Sequence, residues 1–183
     1  MKLDNIRKAK KEDKVIDFIM SAAGEIFFPM DPSFVGDKAK EVCQLLFQSK
    51  HNKLSFENCF VYEKNKVIMG MIIIYDQNLE MSLGENQRSI LLKKYCVDTV
   101  LPIEGVKNSY YIDSLAVGDK YRGQGIGKSL LQFVNNEFDP CSLIVDIEKK
   151  SARSLYEKMG FEIFNSIDLF GNRYYQMKTK QKI

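Results

Sequence analysis

A glycine-rich segment between an apolar run and an amphipathic run constrains the fold of this chain more than any other feature. Residues 110–117 (YYIDSLAV) read as a strand, and residues 118–129 (GDKYRGQGIGKS) read as a loop that enters a helix. Glycines in such a loop tolerate positive φ and let the backbone approach a ligand closely. The first N–H groups of the helix are unpaired and lie at the positive end of its dipole, which suits a phosphate. The segment predicts a site for a phosphorylated cofactor, with Arg122 and Lys128 adding positive charge.

Two well-known phosphate-binding patterns each fail here by one residue. A P-loop requires glycine where this chain has Arg122, and the dinucleotide-binding fingerprint requires glycine where it has Lys128. A bare Gly-x-Gly is weak support for any particular cofactor. The strand before the loop and the strongly amphipathic helix after it favour a phosphate site over an ordinary turn.

Two further patterns resemble the GNAT superfamily of acyl-CoA-dependent N-acyltransferases. One is residues 122–127 (RGQGIG), preceded by residues 115–117 (LAV), and the other is residues 152–161 (ARSLYEKMGF). The resemblance extends over nearly the full length and is weakest over residues 76–108. It implies an α/β fold with a mixed, mostly antiparallel central sheet, helices on both faces, and one parallel strand pair splayed around the cofactor.

Hydrophobic periodicity predicts the element order β-α-α-β-β, an insert, and then β-α-β-α-β-β, in one domain over residues 1–183. Predicted strands cover residues 4–9, 59–62, 66–75, 110–117, 142–147, 161–169 and 173–178. Predicted helices cover residues 12–28, the region of 39–46, residues 126–138 and residues 152–159. A right-handed crossover through the glycine-loop helix should join the parallel strands 110–117 and 142–147.

The insert, residues 76–108, carries the weakest pattern. Leu91, Leu92 and Tyr95 suggest a short helix, whereas breaks are expected at Gly84, Pro102 and Gly105. A connection of this length is usually either poorly ordered or a functional lid.

Composition excludes several classes of protein. The net charge of +3, from 27 basic and 24 acidic residues, is too small to indicate nucleic-acid binding. The four cysteines are isolated and His51 is the one histidine, so we expect reduced thiols and no metal site. Neither a signal peptide nor a run of about 18 apolar residues is present, so we expect a soluble, cytoplasmic protein without membrane contact.

The resemblance implies that acetyl-CoA is the co-substrate. Backbone N–H groups of the loop would hold its pyrophosphate, and the edge of the preceding strand would align its pantetheine arm. The cofactor-binding residues are then Leu115, Ala116, Val117, Arg122, Gly123, Gln124, Gly125, Ile126, Gly127, Lys128, Ser129 and Lys149. Lys149 stands where the family usually has an asparagine that contacts the arm, so its side chain either reaches the cofactor or points to solvent.

Two residues are candidates for proton transfer. Tyr156 matches the family position of the group that protonates the leaving thiolate. A phenol with a pKa of about 10 can donate this proton. The alternative is a structural role, because a tyrosine on an apolar helix face often only packs in the core. Period-2 alternation places Asp113 on the same strand face as Leu115 and Val117, one step before the acyl site. Asp113 would be a base, a substrate anchor or the acceptor of a structural hydrogen bond.

These patterns predict an N-acetyltransferase that moves an acetyl group from acetyl-CoA to a primary amine by direct attack in a ternary complex. A backbone N–H near Leu115 or Ala116 would stabilise the oxyanion. The acceptor is either a small-molecule amine or a protein amine, with a weak hint of a cationic acceptor from Glu80, Glu85, Asp98 and Glu104.

Two other interpretations stay open at this point. One is a catalytically silent acyl-CoA-binding sensor or interaction module, motivated by Lys149 and by the lack of an assigned base. The other is a nucleotide-binding protein with an imperfect P-loop, against which the absence of a Walker-B-like acidic strand end argues. The resemblance also leaves a homodimer, formed through sheet edges or the C-terminal hairpin, as one option for assembly.

Overall fold

The computed structural model describes residues 3–23, 30–169 and 171–180. The strands of this part of the chain form a single seven-stranded sheet in the order β1-β2-β3-β4-β5-β7-β6. The strands are β1 (Ile6–Lys8), β2 (Cys59–Lys64), β3 (Val67–Asp76), β4 (Tyr110–Val117), β5 (Cys141–Asp146), β6 (Phe161–Leu169) and β7 (Asn172–Thr179). β4 and β5 are parallel and every other neighbouring pair is antiparallel. The predicted mixed, mostly antiparallel sheet with one parallel pair is confirmed.

The sheet separates two apolar cores. The helices are α1 (Ile16–Ala23), α2 (Gly36–Gln48), α3 (Glu80–Tyr95), α4 (Ile126–Glu137) and α5 (Lys150–Lys158). The first core, which we call the α1 side, contains Val15, Ile19, Val42, Phe47, Leu91 and Tyr111. The second core, the α4 side, contains Ile112, Leu130, Val134, Leu143 and Phe161. β3 supplies alternate residues to both cores, as predicted for a central strand buried on both faces.

Several element boundaries differ from the prediction. β1 covers three residues rather than six, and α1 begins at Ile16 rather than near residue 12. Residues 24–29 of the predicted first helix lie outside the described residues. The first hairpin turns tightly at Asn65 and Lys66, which both have positive φ, so β2 extends two residues beyond its predicted end.

The insert contains a full helix where the sequence suggested only a short one. α3 runs for 16 residues and passes through Gly84 without a break. Its inward-facing residues are spaced as in an amphipathic helix, but two of the four, Glu80 and Gln87, are polar. This helix therefore lacks the apolar stripe from which sequence reasoning recognises a helix.

A β-bulge interrupts β4 at its centre. Ser114 lies opposite Ile73 and Ile112 lies opposite Ile74, so Asp113 is one residue in excess of its partner strand. Pairing of β4 with β5 is confined, among the described residues, to residues 110–112 opposite residues 141–143. Because a bulge bends its strand, β4 leaves β5 at this point and a gap opens between the two.

Two smaller observations concern the membrane and the thiols. Within the described ranges, no helix is both long and apolar enough to cross a membrane. The four cysteines are not joined in disulfides; Cys96 is exposed and the other three, Cys43, Cys59 and Cys141, are buried.

Candidate active site

The gap between β4 and β5 forms a cleft with a volume of about 570 Å³. Seven of the predicted site residues line it: Asp113, Leu115, Ala116, Val117, Arg122, Lys149 and Tyr156. The end of α1 and the facing strand β5 supply further walls of the cleft, together with Tyr174 of β7. The structure therefore brings residues from distant parts of the chain to the point where the parallel strands separate.

The glycine-rich loop lies beside this cleft and ends at the N-terminus of α4. Gly125 is the N-cap residue of α4 and has a φ of 79°, and Gly123 has a φ of 76°. Both angles lie in the left-handed region, which costs a residue with a Cβ roughly 1–2 kcal/mol. Since the cap is a glycine, no capping side chain takes up the N–H groups of the first helical turn. The loop thus offers backbone donors and the positive end of a helix dipole to an anion.

The side chains of this segment divide between solvent and core. Arg122, Gln124 and Lys128 are exposed, and Arg122 forms a surface ion pair with Asp119 at 2.8 Å. Ile126 is buried in the core of the α4 side. Exposed ion pairs are weak, so Arg122 can exchange Asp119 for another anion.

Ser129 and Gly127 lie on the inner side of this segment. The Ser129 hydroxyl is buried and donates to the backbone oxygen of Gly125 at 3.2 Å, so this side chain supports the loop from inside. Gly127 has a helical backbone, and a Cβ there would meet Leu155 at an ordinary distance of 3.5 Å. Of the three glycines, only Gly123 and Gly125 are required by backbone conformation.

Tyr156 projects from α5 on the α4 side of the sheet. Its ring packs edge-on against Phe161, with ring centroids 5.9 Å apart, and its hydroxyl forms no hydrogen bond with any of the described residues. Burial raises the pKa of Tyr156 to about 12. The phenol therefore stays protonated at neutral pH and is available as a donor inside the cleft. Lys149 caps the same helix, and its exposed side chain lies at the mouth of the cleft.

Asp113 lies on the α1 side, which corrects the predicted alternation. Leu115 and Val117 pack on the α4 side, whereas the Asp113 carboxylate accepts hydrogen bonds from Tyr75 Oη at 3.2 Å and Ser114 Oγ at 2.9 Å. The bulge is the reason, because the extra residue reverses the facing of everything before it. Burial raises the pKa of Asp113, while the positive charge of Lys53 opposes that rise.

Glu104 joins Asp113 in the cleft, and sequence reasoning did not select it as a catalytic residue. Its Oε2 accepts a hydrogen bond of 2.6 Å from Tyr111 Oη. Burial, followed by the nearby negative charge of Asp113, raises the pKa of Glu104 to about 7. The rings of Tyr75 and Tyr111 are neighbours, with centroids 5.7 Å apart. Tyr75 donates to Asp113 and Tyr111 donates to Glu104, so the two carboxyl groups lie in the same part of the cleft.

The other acidic residues of the insert do not form a groove. Glu85 and Asp98 both pair with Arg88 on the surface. Glu80 is buried in an ion pair with Lys53. The weak sequence hint of an acidic acceptor site therefore reduces to Glu104, which was one of four candidates and is the one that reaches the cleft.

At the gap, carboxyl groups and a phenol hydroxyl lie on opposite sides of the sheet. The carboxyl groups of Glu104 and Asp113 lie on the α1 side, and the Tyr156 hydroxyl lies on the α4 side. Between them, β4 beyond Ile112 presents a strand edge that β5 does not cover in the described structure. A group held at this edge would have a proton acceptor on one side and a proton donor on the other.

Comparison with known proteins agrees with this geometry. A family model described as an acetyltransferase (GNAT) domain matches residues 55–163. An N-acetyltransferase from Staphylococcus aureus Mu50 superposes with a TM-score of 0.80 at 24% identity, covering 95% of this chain and 99% of that one. A second acetyltransferase gives 0.77 at 22% identity, covering 97% and 99%.

A further solved structure with this fold contains CoA. The NatC complex bound to Gag peptide and CoA gives a TM-score of 0.53 at 17% identity, covering 97% of this chain and 98% of that one. At these identities the solved structures show a shared fold. The family model spans more than half of the 183 residues, and the chain therefore belongs to the GNAT family of acetyltransferases.

Proposed function

We propose that this protein transfers an acetyl group from acetyl-CoA to a primary amine by direct attack in a ternary complex. The observation that carries the proposal is the gap between β4 and β5, which has carboxyl groups at one side and a protonated phenol at the other. Membership of the GNAT acetyltransferases supports acetyl-CoA as the donor. Both substrates could then meet at the uncovered edge of β4.

The cofactor would be held mainly by backbone groups. The N–H groups between Gly123 and Lys128 suit a pyrophosphate, because the cap of α4 is a left-handed glycine that leaves them open. Arg122 and Lys149 would add positive charge from the two sides of the cleft mouth. The edge of β4 at residues 115–117 would align the pantetheine arm as an added strand does.

The acetyl transfer needs a stabilised oxyanion and two proton movements. When bound, acetyl-CoA supplies an activated acetyl group as a thioester. A backbone N–H near Leu115 or Ala116 would stabilise the developing oxyanion, and Tyr156 would donate its proton toward the departing sulfur. Asp113 lies on the opposite side of the sheet, where it would anchor the amine. Holding both reactants at one edge would supply much of the rate.

Thermal unfolding with acetyl-CoA, ATP or NAD added separately tests the cofactor. Ligand at about 100 times its dissociation constant stabilises a protein by roughly 2.7 kcal/mol, which corresponds to a midpoint shift on the order of 5–10 °C for a chain of this size. We expect this shift with acetyl-CoA and not with ATP or NAD. A shift with ATP would instead favour the nucleotide-binding interpretation.

A pair of glycine variants makes this experiment specific to the loop. Gly125→Glu adds a strained side chain and a negative charge to the anion site, so the acetyl-CoA shift should disappear. Gly171→Glu is the control, because Gly171 has a φ of 81° and open surroundings in the β6–β7 hairpin. An acetyl-CoA shift that survives in Gly125→Glu would contradict the assignment of the loop.

A further inference from the structure

We propose that Glu104 accepts the proton of the incoming ammonium group, and that the buried ion pair of Lys53 and Glu80 is the device that positions it. This inference rests on the proposed function and deepens it. It assigns a proton acceptor to the amine side of the cleft and a role to the insert, residues 76–108.

The ion pair is fully enclosed and reaches directly to the segment that carries Glu104. Lys53 Nζ lies 2.8 Å from Glu80 Oε1, and these side chains are 5% and 1% exposed. Lys53 Nζ also donates to the backbone oxygen of Pro102 at 3.1 Å. Glu80 Oε1 accepts from the N–H of Glu104 at 3.0 Å, and Oε2 accepts from the N–H of Gly105 at 3.1 Å. The backbone is thus held before, at and after Glu104.

Two further contacts fix the same segment against the sheet. Gln176 Nε2, on β7, donates to the backbone oxygen of Glu104 at 3.1 Å. Gly105 packs so tightly that a Cβ there would lie 2.5 Å from Gln77 Cγ and 3.1 Å from Glu80 Oε2. With its backbone fixed on both sides, the Glu104 side chain is left to reach the cleft and to accept from Tyr111.

A buried ion pair is a weak source of stability, because desolvation offsets most of the attraction between the charges. The two charged groups here serve a second purpose, since Lys53 Nζ donates one hydrogen bond and the Glu80 carboxylate accepts two that place the backbone of residues 102–105. Such supporting contacts are what hold a catalytic group within a fraction of an ångström of its working position. The location of this ion pair, directly behind a carboxyl group of the cleft, indicates a positioning role.

The charges around Glu104 favour a cation in the cleft. The titratable groups that face it are Asp113 and Tyr111 of β4, Tyr75 of β3, Glu80 of α3, Lys53 from the segment after α2, and Tyr174 of β7, which shares the cleft. With Lys53 and Glu80 neutralising each other, Glu104 and Asp113 form a pair of carboxyl groups whose negative charges repel. An ammonium group relieves that repulsion, so the acceptor should enter as its cation.

The proton transfer involves only the acceptor ammonium group and the Glu104 carboxylate. One N–H bond of the acceptor ammonium breaks, an O–H bond forms on the Glu104 carboxylate, and the nitrogen keeps the electron pair with which it attacks the thioester carbonyl. The raised pKa of Glu104 brings it closer to that of an alkyl ammonium, about 10.4 for lysine, and so makes the transfer less unfavourable. Asp113, hydrogen-bonded to Tyr75 and Ser114, would remain in place as the neighbouring anchor.

The first test compares Glu104→Gln with the control Glu85→Gln, an exposed carboxylate on α3 that pairs with Arg88. Thiol release from acetyl-CoA is measured from pH 5.5 to 9 with three probes: spermidine, a peptide with a free N-terminus, and an N-blocked lysine peptide. For the wild type and the control, kcat/KM should rise through about pH 7. Glu104→Gln should lose about 100-fold at pH 7.5 and lack this rise, with the acetyl-CoA thermal shift unchanged.

The second test needs no turnover. With ¹³C-labelled glutamate, the carboxyl signal that disappears in Glu104→Gln should titrate near pH 7 in the wild type. Gly105→Ala should displace the segment, move this midpoint and lower kcat without changing acetyl-CoA binding. Glu80→Gln should also move the midpoint and lower kcat. If the Glu80→Gln variant does not fold, Gly105→Ala alone provides the test.

The outcomes separate the two proposals. A wild type that releases no thiol with any of the three amines, yet shows the Glu104 titration, contradicts the proposed function. A wild type that turns over while Glu104→Gln keeps both its rate and its pH profile overturns the role of Glu104 alone. A titration midpoint near the ordinary value of 4.5 would also overturn it, and an unchanged midpoint and rate in Gly105→Ala would remove the positioning role.

Discussion

Tyr156 carries the sharpest single-residue expectation. Its hydroxyl has no hydrogen-bonding partner among the described residues, while its ring is packed against Phe161. Replacement by phenylalanine keeps the packing and removes the donor. Thiol release by Tyr156→Phe should fall by about 100-fold, with the acetyl-CoA thermal shift preserved.

Tyr110→Phe is the matched control for this variant. Tyr110 lies on β4 at the closed end of the parallel pair, and its ring contacts Phe138 rather than the cleft. Its rate should stay within about twofold of the wild type, as expected for a surface or packing change. If Tyr156→Phe instead loses stability or cofactor binding, the residue serves packing and another group protonates the thiolate.

The candidate residues that the sequence predicted differ from Glu104, which it did not select as a catalytic residue, in the kind of signal they leave. Gly125 and Tyr156 sit in short local patterns, and the backbone needs of a loop or a helix can be seen in a few consecutive letters. Glu104 has no such pattern, because its environment depends on Lys53 and Glu80, which are distant in sequence, and on the strand that brings Tyr111 beside it. The predicted side of the sheet for Asp113 was wrong for a related reason, since no residue pattern within 110–117 indicates a bulge.

At the scale of elements, the sequence predicted the sheet better than the helices around it. β3 was predicted from its continuous apolar run, which follows from burial on both faces. α3 was largely missed because Glu80 and Gln87 occupy inward positions that would normally be apolar. Tertiary structure accounts for the polar residue at position 80, because the Glu80 carboxylate accepts hydrogen bonds from the segment after the helix.

Two glycine-to-alanine changes should affect the free energy of unfolding in opposite directions. A Cβ at Gly70 would lie 2.8 Å from the backbone oxygen of Ala116 and 3.2 Å from Ile126 Cγ2, so β3 and β4 would be forced apart. Gly70→Ala should therefore lower the free energy of unfolding by about 1–3 kcal/mol. Gly84 lies inside α3, where a Cβ would make an ordinary contact at 3.6 Å with Lys53, and Gly84→Ala should raise it by roughly 0.5–1 kcal/mol.

Urea unfolding of the two variants and the wild type measures both effects. Equal slopes with shifted midpoints would report stability alone. A stable Gly70→Ala variant would mean that the two strands adjust to the added methyl group, and a destabilised Gly84→Ala variant would mean that α3 bends at that position.

For the whole molecule, Glu104 should make stability depend on pH near neutrality. Burial raises the pKa of Glu104 from 4.5 to about 7, so the folded state keeps a proton that the unfolded state releases. Its contribution to the free energy of unfolding is complete below about pH 4.5 and is lost as the pH rises through 7. The loss should be on the order of 2 kcal/mol between pH 5 and pH 8, allowing for solvent in the cleft.

Glu104→Gln supplies the comparison, because the amide does not titrate. The difference in free energy of unfolding between variant and wild type should change by that amount between the two pH values, to the relative advantage of the variant at pH 8. Asp113, whose pKa is also raised by burial, contributes in the same direction and remains in both proteins. Parallel pH curves for the two proteins would place the Glu104 carboxyl in contact with water.

The bulge in β4 has an evolutionary consequence. Asp113 is the one residue by which β4 exceeds the span of β3 that it faces. In a shorter ancestor lacking this residue, β4 would pair regularly with β3 and stay against β5, and the protein would have neither the gap nor the Asp113 carboxylate. Such a strand would make a more regular sheet, and under the proposed function the protein would lose the site where the two substrates meet. A single codon insertion could therefore separate a scaffold from a catalyst, and selection for stability alone would tend to delete it.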